Sequence, residues 1–143
     1  MLHQLIIGAG VIAATSIIHA IFVAGALAAQ RVRRPGGAPG AVKLLRSIAA
    51  LAFAMLWLIT AHGLSIAIWA GMLTVNGVFE QIETATYFAM VTYTTLGLGG
   101  LDVAPEWRLL PGIIAANGFL LFGFSAAFAV EFSSRLTALK LRG

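Results

Sequence analysis

Cysteine is absent from the 143 residues, so no disulfide, thiolate metal site or thiol chemistry is open to this chain, and its redox compartment is undetermined. Charge is scarce as well. Nine Lys or Arg and five Asp or Glu make up 10% of the chain, against 60% apolar residues. A mean hydropathy of +0.97 lies far outside the soluble range and places the chain in a membrane. The length allows one domain. A net charge of +4 and a pI near 10.4 would suit nucleic acid if the basic residues formed a patch on a soluble fold. They instead flank apolar runs, as cytoplasmic ends of membrane helices do, so no nucleic-acid partner is expected.

What the chain does contain is long apolar runs. The first, from about Leu5 to Ala29, can cross a hydrocarbon core of about 30 Å. Its Ala26-Leu27-Ala28-Ala29 end resembles a signal-peptidase site, but a signal peptide carries positive charge before its apolar stretch. Here only His3 precedes the run, while Arg31, Arg33 and Arg34 follow it. The run therefore reads as a span with the N-terminus outside and the Arg cluster inside. Pro35-Gly36-Gly37-Ala38-Pro39-Gly40 supplies a flexible turn, and Lys43 and Arg46 add to the inward charge.

A second run from Ser47 to Val75 returns the chain to the outside, with tilt expected from its length. Trp69 near its outer end suits an interfacial aromatic belt, and Trp57 suits packing. Asn76-Gly77 marks a turn. From Phe79 to about Thr92 the sequence is helix-compatible but too short and too polar to span, so it is an extracellular or a re-entrant helix. The third run, Trp107 to Val130, ends before Arg135, Lys140 and Arg142, which belong inside. Four of the five acids, Glu80, Glu83, Asp102 and Glu106, fall on the outer segment beside Arg108. Such a vestibule would concentrate cations, although solvated loop charges would look the same.

Between the second and third runs lies Thr94-Thr95-Leu96-Gly97-Leu98-Gly99-Gly100. A dehydrated cation needs replacement oxygens, and a narrow loop supplies them from backbone carbonyls. Aiming successive carbonyls to one side requires alternating conformations, including positive φ, which Gly97 and Gly99 permit. A generic Gly-rich turn would explain neither the half-length helix nor the paired threonines. The stretch from Tyr87-Phe88 through Thr92-Tyr93-Thr94-Thr95-Leu96-Gly97-Leu98-Gly99 resembles the pore helix and selectivity filter of the tetrameric potassium-channel superfamily, whose pattern ends in T-x-T-T-V-G-Y-G-D. The resemblance covers about Phe79 to Phe132. It implies that Thr94, Thr95, Leu96, Gly97, Leu98 and Gly99 form an ion-binding filter, with the Thr95 hydroxyl completing the innermost ring. Three positions depart from the pattern. Leu98 replaces an aromatic residue, Gly100 an Asp, and Leu96 a β-branched residue, and each change loosens the filter wall.

Counting 100° per residue from Asn117, the positions Leu121, Phe124, Phe128, Glu131 and Arg135 fall within about 40° of one line. Such a mixed stripe would be costly against lipid and should face water or protein, which suits a pore lining with Phe124 or Phe128 as an apolar gate. Gly112, Ala116, Gly123 and Ala127 form a separate small-residue stripe for close helix contact. Gly118 is a candidate hinge, or equally a packing glycine. His19 and His62 lie well within their spans, where ionisable residues are functional candidates for proton, metal or haem sites. The competing reading has each imidazole bonded to neighbouring backbone or hydroxyls, with Ser16, Thr60 and Ser65 close in sequence.

The expected fold is an all-α membrane protein with three transmembrane helices plus a re-entrant pore helix and filter loop. Its expected parts are an additional helix at 1–30, a basic cytoplasmic loop at 31–46, and a pore domain at 47–143. Within the pore domain, an outer helix occupies 47–75, a pore helix 79–93, the filter 94–99 and an inner helix 107–135. One filter segment per chain implies a homotetramer in a plasma or inner membrane. Its lipid-embedded pore would pass K+, or Na+ and other monovalent cations, passively, with no cofactor, enzyme chemistry, voltage-sensing arginine series or cytoplasmic ligand domain. A weakly selective or non-conducting pore, and a metal- or haem-binding protein using His19 and His62, are the alternatives.

Overall fold

The computed structural model describes residues 2–32, 40–97 and 100–141, with backbone only at 30–32, 43 and 135–141. The expected turn at 35–39, together with Arg33, Arg34, Leu98, Gly99 and Arg142, lies outside the described residues. Helices α1 (Leu2–Val32), α2 (Gly40–Val75), α3 (Ile82–Tyr93) and α4 (Leu110–Leu141) follow in order, with a 3₁₀ turn at Pro105–Trp107 before α4. No strand occurs among the described residues. Three of the helices, α1, α2 and the Pro105–Ser134 stretch of α4 with its 3₁₀ lead-in, are long and apolar enough to cross a membrane. A helix satisfies its backbone N–H and C=O groups internally, as hydrocarbon demands. Large apolar side chains stand exposed along each span, among them Ile6, Ile17 and Ile21 on α1, Phe53, Leu56 and Ile59 on α2, and Phe119, Leu120 and Val130 on α4. In water that surface would be an aggregation hazard, whereas lipid or neighbouring subunits can cover it.

Contacts along the chain set the directions of the spans. Gln4 on α1 donates to the Glu106 carbonyl and accepts from the Leu109 amide at 3.1 Å, and Thr15 meets Asn117, so α1 and α4 run parallel. His19 meets His62, and further along α1 the Phe22 carbonyl accepts from the Trp57 indole at 2.9 Å, so α1 and α2 run antiparallel. Two apolar clusters hold the bundle. One gathers Trp69, Leu73, Phe88, Tyr93, Leu110 and Ile114 around α3, and the other joins Ala26, Ala54, Leu58, Phe128 and Phe132 near the basic ends of the spans.

α2 ends in a Schellman turn. The Val78 amide donates to the Leu73 carbonyl at 2.9 Å and the Gly77 amide to the Thr74 carbonyl at 3.0 Å. Gly77 at φ 69 takes the left-handed slot that this motif requires. The turn sends α3 back between α2 and α4. Its 12 residues reach only about 18 Å, so α3 stops partway down the spans, beside His62 of α2 and Gly118 of α4. A Cβ placed on Gly118 would overlap the Tyr93 carbonyl, so this glycine lets the α3 backbone lie directly against α4. Gly118 therefore serves as the packing glycine that the sequence offered as the equal alternative to a hinge, in an unbroken helix.

Several sequence expectations shift. Residues 40–46 continue α2 as helix, because no breaker follows Gly40, which shortens the expected 31–46 loop. The half-length helix starts at Ile82 rather than Phe79, since Gln81 is extended at φ −103 and ψ 128. α4 starts at Leu110 rather than Trp107, with Pro111 in its first turn, where the missing N–H costs nothing. Trp69 is no belt residue. It is fully buried, and its indole donates to Asn117 Oδ1 at 2.9 Å.

Gly118→Ala is expected to cost about 1–3 kcal/mol through overpacking against Tyr93, while Gly123→Ala, with open space at its Cβ, is expected to stay near neutral. Thermal unfolding of the detergent-solubilised protein checks the pair. Gly77→Ala is expected to cost about 1–2 kcal/mol for a left-handed alanine, measured the same way.

Candidate functional site

The C-terminus of α3 closes with the same turn as α2. The Leu96 amide donates to the Val91 carbonyl at 2.9 Å and the Thr95 amide to the Thr92 carbonyl at 2.9 Å, while the Gly97 amide shares the Val91 oxygen at 3.1 Å. The left-handed slot is filled by Thr95, at φ 58. A β-branched residue there is a true outlier, costing roughly 1–2 kcal/mol that a glycine would avoid. Gly97 has the expected positive φ of 60, and Gly100 has one of 91. Gly99 and Leu98 lie outside the described residues. The conformation of Thr95 went unforeseen because it depends on where α3 ends, and composition does not set that point. Thr94, Thr95, Leu96 and Gly97 are all exposed in the chain, and the Thr94 hydroxyl donates back to the Met90 carbonyl at 2.8 Å.

Behind this loop the chain is packed and polar. Tyr93, the last residue of α3, is fully buried, and its hydroxyl lies 3.0 Å from His62 Nδ1. His62 Nε2 lies 3.0 Å from Ser125 Oγ on α4 and 3.4 Å from His19 Nε2 on α1. Phe122 stacks on the His62 ring at 4.1 Å between centroids. The two histidines thus meet, which their sequence separation did not reveal. His62 bonds hydroxyls, as one of the two readings expected, but they are those of Tyr93 and Ser125, while Ser65 and Thr60 donate to backbone carbonyls of their own helix and Ser16 is exposed. The imidazoles touch directly, edge to face, with ring centroids 4.4 Å apart. Among the described residues no group of three or more His, Cys, Asp or Glu is placed to hold a metal.

The expected lining stripe of α4 divides. Asn117, Leu121 and Phe128 are buried within the chain, and Asn117 Oδ1 accepts from both Trp69 and Thr15. A side chain 1% exposed in one subunit, as Asn117 is, cannot face a water-filled path, so its expected place in a cavity is corrected. The stripe faces protein because α1 and α2 offer it polar partners. Phe124 and Glu131 remain exposed. So does the small-residue stripe of Gly112, Ala116, Gly123 and Ala127.

Glu80, Asp102 and Glu106 on the connections around α3 and before α4, and Glu83 in the first turn of α3, are all exposed at the end of the bundle where α2 finishes and α4 begins. A recess of about 380 Å³ opens there, lined by Tyr87, Thr92, Gly97, Asp102, Arg108 and Pro111 among others. Gly97 of the loop and Asp102 of the acidic segment thus line one recess, with Arg108 beside them.

Residues 48–135 match the family model described as an ion channel. No curated protein and no solved structure matches the chain. The helix α1 lies outside the matched residues. The match covers most of α2, the whole of α3 with its loop, and most of α4, and it makes the chain a member of the ion-channel family, with the two-span domain of the potassium-channel superfamily.

Proposed function

We propose that the chain is one subunit of a passive channel for monovalent cations, potassium foremost, in which four copies close a ring of backbone carbonyls around the path. The observation that carries this reading is the turn at Thr95. The same turn on α2 uses glycine in its left-handed slot, while α3 keeps a strained threonine there. Strain retained at one loop points to a use for that side chain. A hydroxyl at the head of a carbonyl-lined path supplies oxygen to a dehydrated cation. In this reading Thr94, Thr95, Leu96, Gly97, Leu98 and Gly99 form the filter. The negative end of the α3 dipole lies beside it, and the last turn of α3 carries no basic residue.

Below the filter, the path runs along the face of α4 that its own chain leaves open. Leu120, Phe124, Ala127 and Glu131 lie within about 60° of one another at 100° per residue and are all exposed. Phe124 is the apolar constriction, and Glu131 draws cations to the inner end. The acids Glu80, Glu83, Asp102 and Glu106 do the same at the outer mouth. The basic flanks of the spans set the N-terminus outside and the C-terminus in the cytoplasm of a plasma or inner membrane. α1 packs at the periphery.

Purified protein in liposomes with a potassium gradient tests the reading. Flux in the wild type, reduced at least about tenfold by Gly97→Ala, is the expected result, since alanine at φ 60 is strained and re-aims a carbonyl. Undiminished flux in that variant, or a stably dimeric protein in native-like bilayers, would sink it. Thr95→Gly is expected to raise stability by roughly 1 kcal/mol while lowering the potassium-to-sodium permeability ratio. Unfolding and ion-replacement flux read the two effects separately.

A further inference from the structure

We propose that Tyr93 and His62 are positioning residues for the filter, forming a buried brace that ties the end of α3 to all three spans. This rests on reading the Thr94–Gly97 loop as the conduction filter. Tyr93 immediately precedes Thr94, and its position is over-determined. Its carbonyl abuts Gly118 on one side. Its ring meets Phe122 edge-on at 5.6 Å and His62 at 5.9 Å. Its hydroxyl lies 3.0 Å from His62 Nδ1 and also hydrogen-bonds Ser65, both on α2. From His62 Nε2 the chain of polar atoms continues to Ser125 on α4 at 3.0 Å and to His19 on α1 at 3.4 Å. A movement of the loop's root is therefore resisted by α2, α4 and α1 together.

Both imidazole tautomers serve this geometry. With the proton on Nε2, His62 accepts from the Tyr93 hydroxyl and donates to Ser125. With the proton on Nδ1, it donates to the Tyr93 oxygen and accepts from the Ser125 hydroxyl. Apolar side chains of the same shape would hold the helices together about as well, because a buried hydrogen bond contributes little net stability. What apolar packing lacks is direction, and a hydrogen-bonded imidazole fixes the ring and the phenol in one orientation. The loop needs this support. Leu98 has no hydroxyl and Gly100 no carboxylate with which to hold the loop from its own residues, and the turn at Thr95 would relax if its root were free. The brace also gives α1, which lies outside the family-matched residues, a connection to the filter through His19.

The test uses the full chain in bilayers with two readouts, hydrogen exchange at the hydrogen-bonded amides of Thr95, Leu96 and Gly97, and the potassium-to-sodium permeability ratio. Tyr93→Phe removes one hydroxyl and keeps the shape. It is expected to speed exchange at those amides about fivefold, the equilibrium worth of one net hydrogen bond. The amides of Gly77 and Val78, in the matching turn on α2, are expected to stay unchanged. The permeability ratio is expected to fall by a similar factor. His62→Gln, whose amide reaches Ser125 but not Tyr93, is expected to shift both readouts in the same direction as Tyr93→Phe and by less, because the Tyr93 hydroxyl keeps Ser65. His62→Asn, whose amide stands where Nδ1 faces Tyr93 but cannot reach Ser125 or His19, is expected to fall between the wild type and Tyr93→Phe. Unchanged loop exchange in Tyr93→Phe overturns the brace, as does equal acceleration at Gly77 and Val78 or a wild-type permeability ratio in a conducting Tyr93→Phe protein. Accelerated loop exchange in a protein whose wild type passes no cation leaves the brace standing and overturns the conduction reading instead.

Discussion

A helix that enters a bilayer-spanning bundle and stops partway must leave its last carbonyls satisfied, because no water reaches them there from lipid. In this protein that constraint falls on the end of α3. The Schellman turn binds the Val91 and Thr92 carbonyls with the amides of the loop itself, so the residues that end the helix also shape the loop beyond it. The other interfaces serve this point. Gly118 admits the α3 backbone against α4, the turn at Gly77 aims α3 inward, and Trp69, Phe88 and Leu110 fill the space around it.

The polar interior is divided in the same way. One network, Asn117 with Trp69 and Thr15, ties α1, α2 and α4 together. The other, His62 with Tyr93, Ser125 and His19, ties those helices to α3 as well. Each lies among apolar neighbours, where unpaired polar atoms are expensive and paired ones specify a single arrangement. The helices otherwise present nearly uniform apolar surfaces that could slide or rotate against one another. These hydrogen bonds select one register from many of similar packing energy.

Much of the fold was legible in the sequence, for physical reasons particular to each element. The three spans came from run length and hydropathy, and the half-length helix from the polar residues Glu80, Gln81 and Glu83 that interrupt the apolar pattern. The Asn76-Gly77 turn was readable because a left-handed slot favours glycine. Side-chain direction in α4 was not. The 100° count grouped Asn117, Leu121 and Phe128 with Phe124 and Glu131, yet the first three turn into the chain. A helical wheel says which residues share a face and leaves open what that face meets.

By itself, then, the sequence determined that this chain is helical and membrane-spanning, that one helix stops short, and that a Thr-Thr-x-Gly loop comes after it. These are local matters of apolar length, breaker residues and backbone freedom. Only the tertiary structure decided that Thr95 takes the left-handed slot, that Gly118 is a close contact for Tyr93, and that His19 and His62, 43 positions apart, meet behind Tyr93. Each depends on where α3 ends relative to α2 and α4. That depth is set by the summed packing of three helices, which no single stretch of sequence encodes.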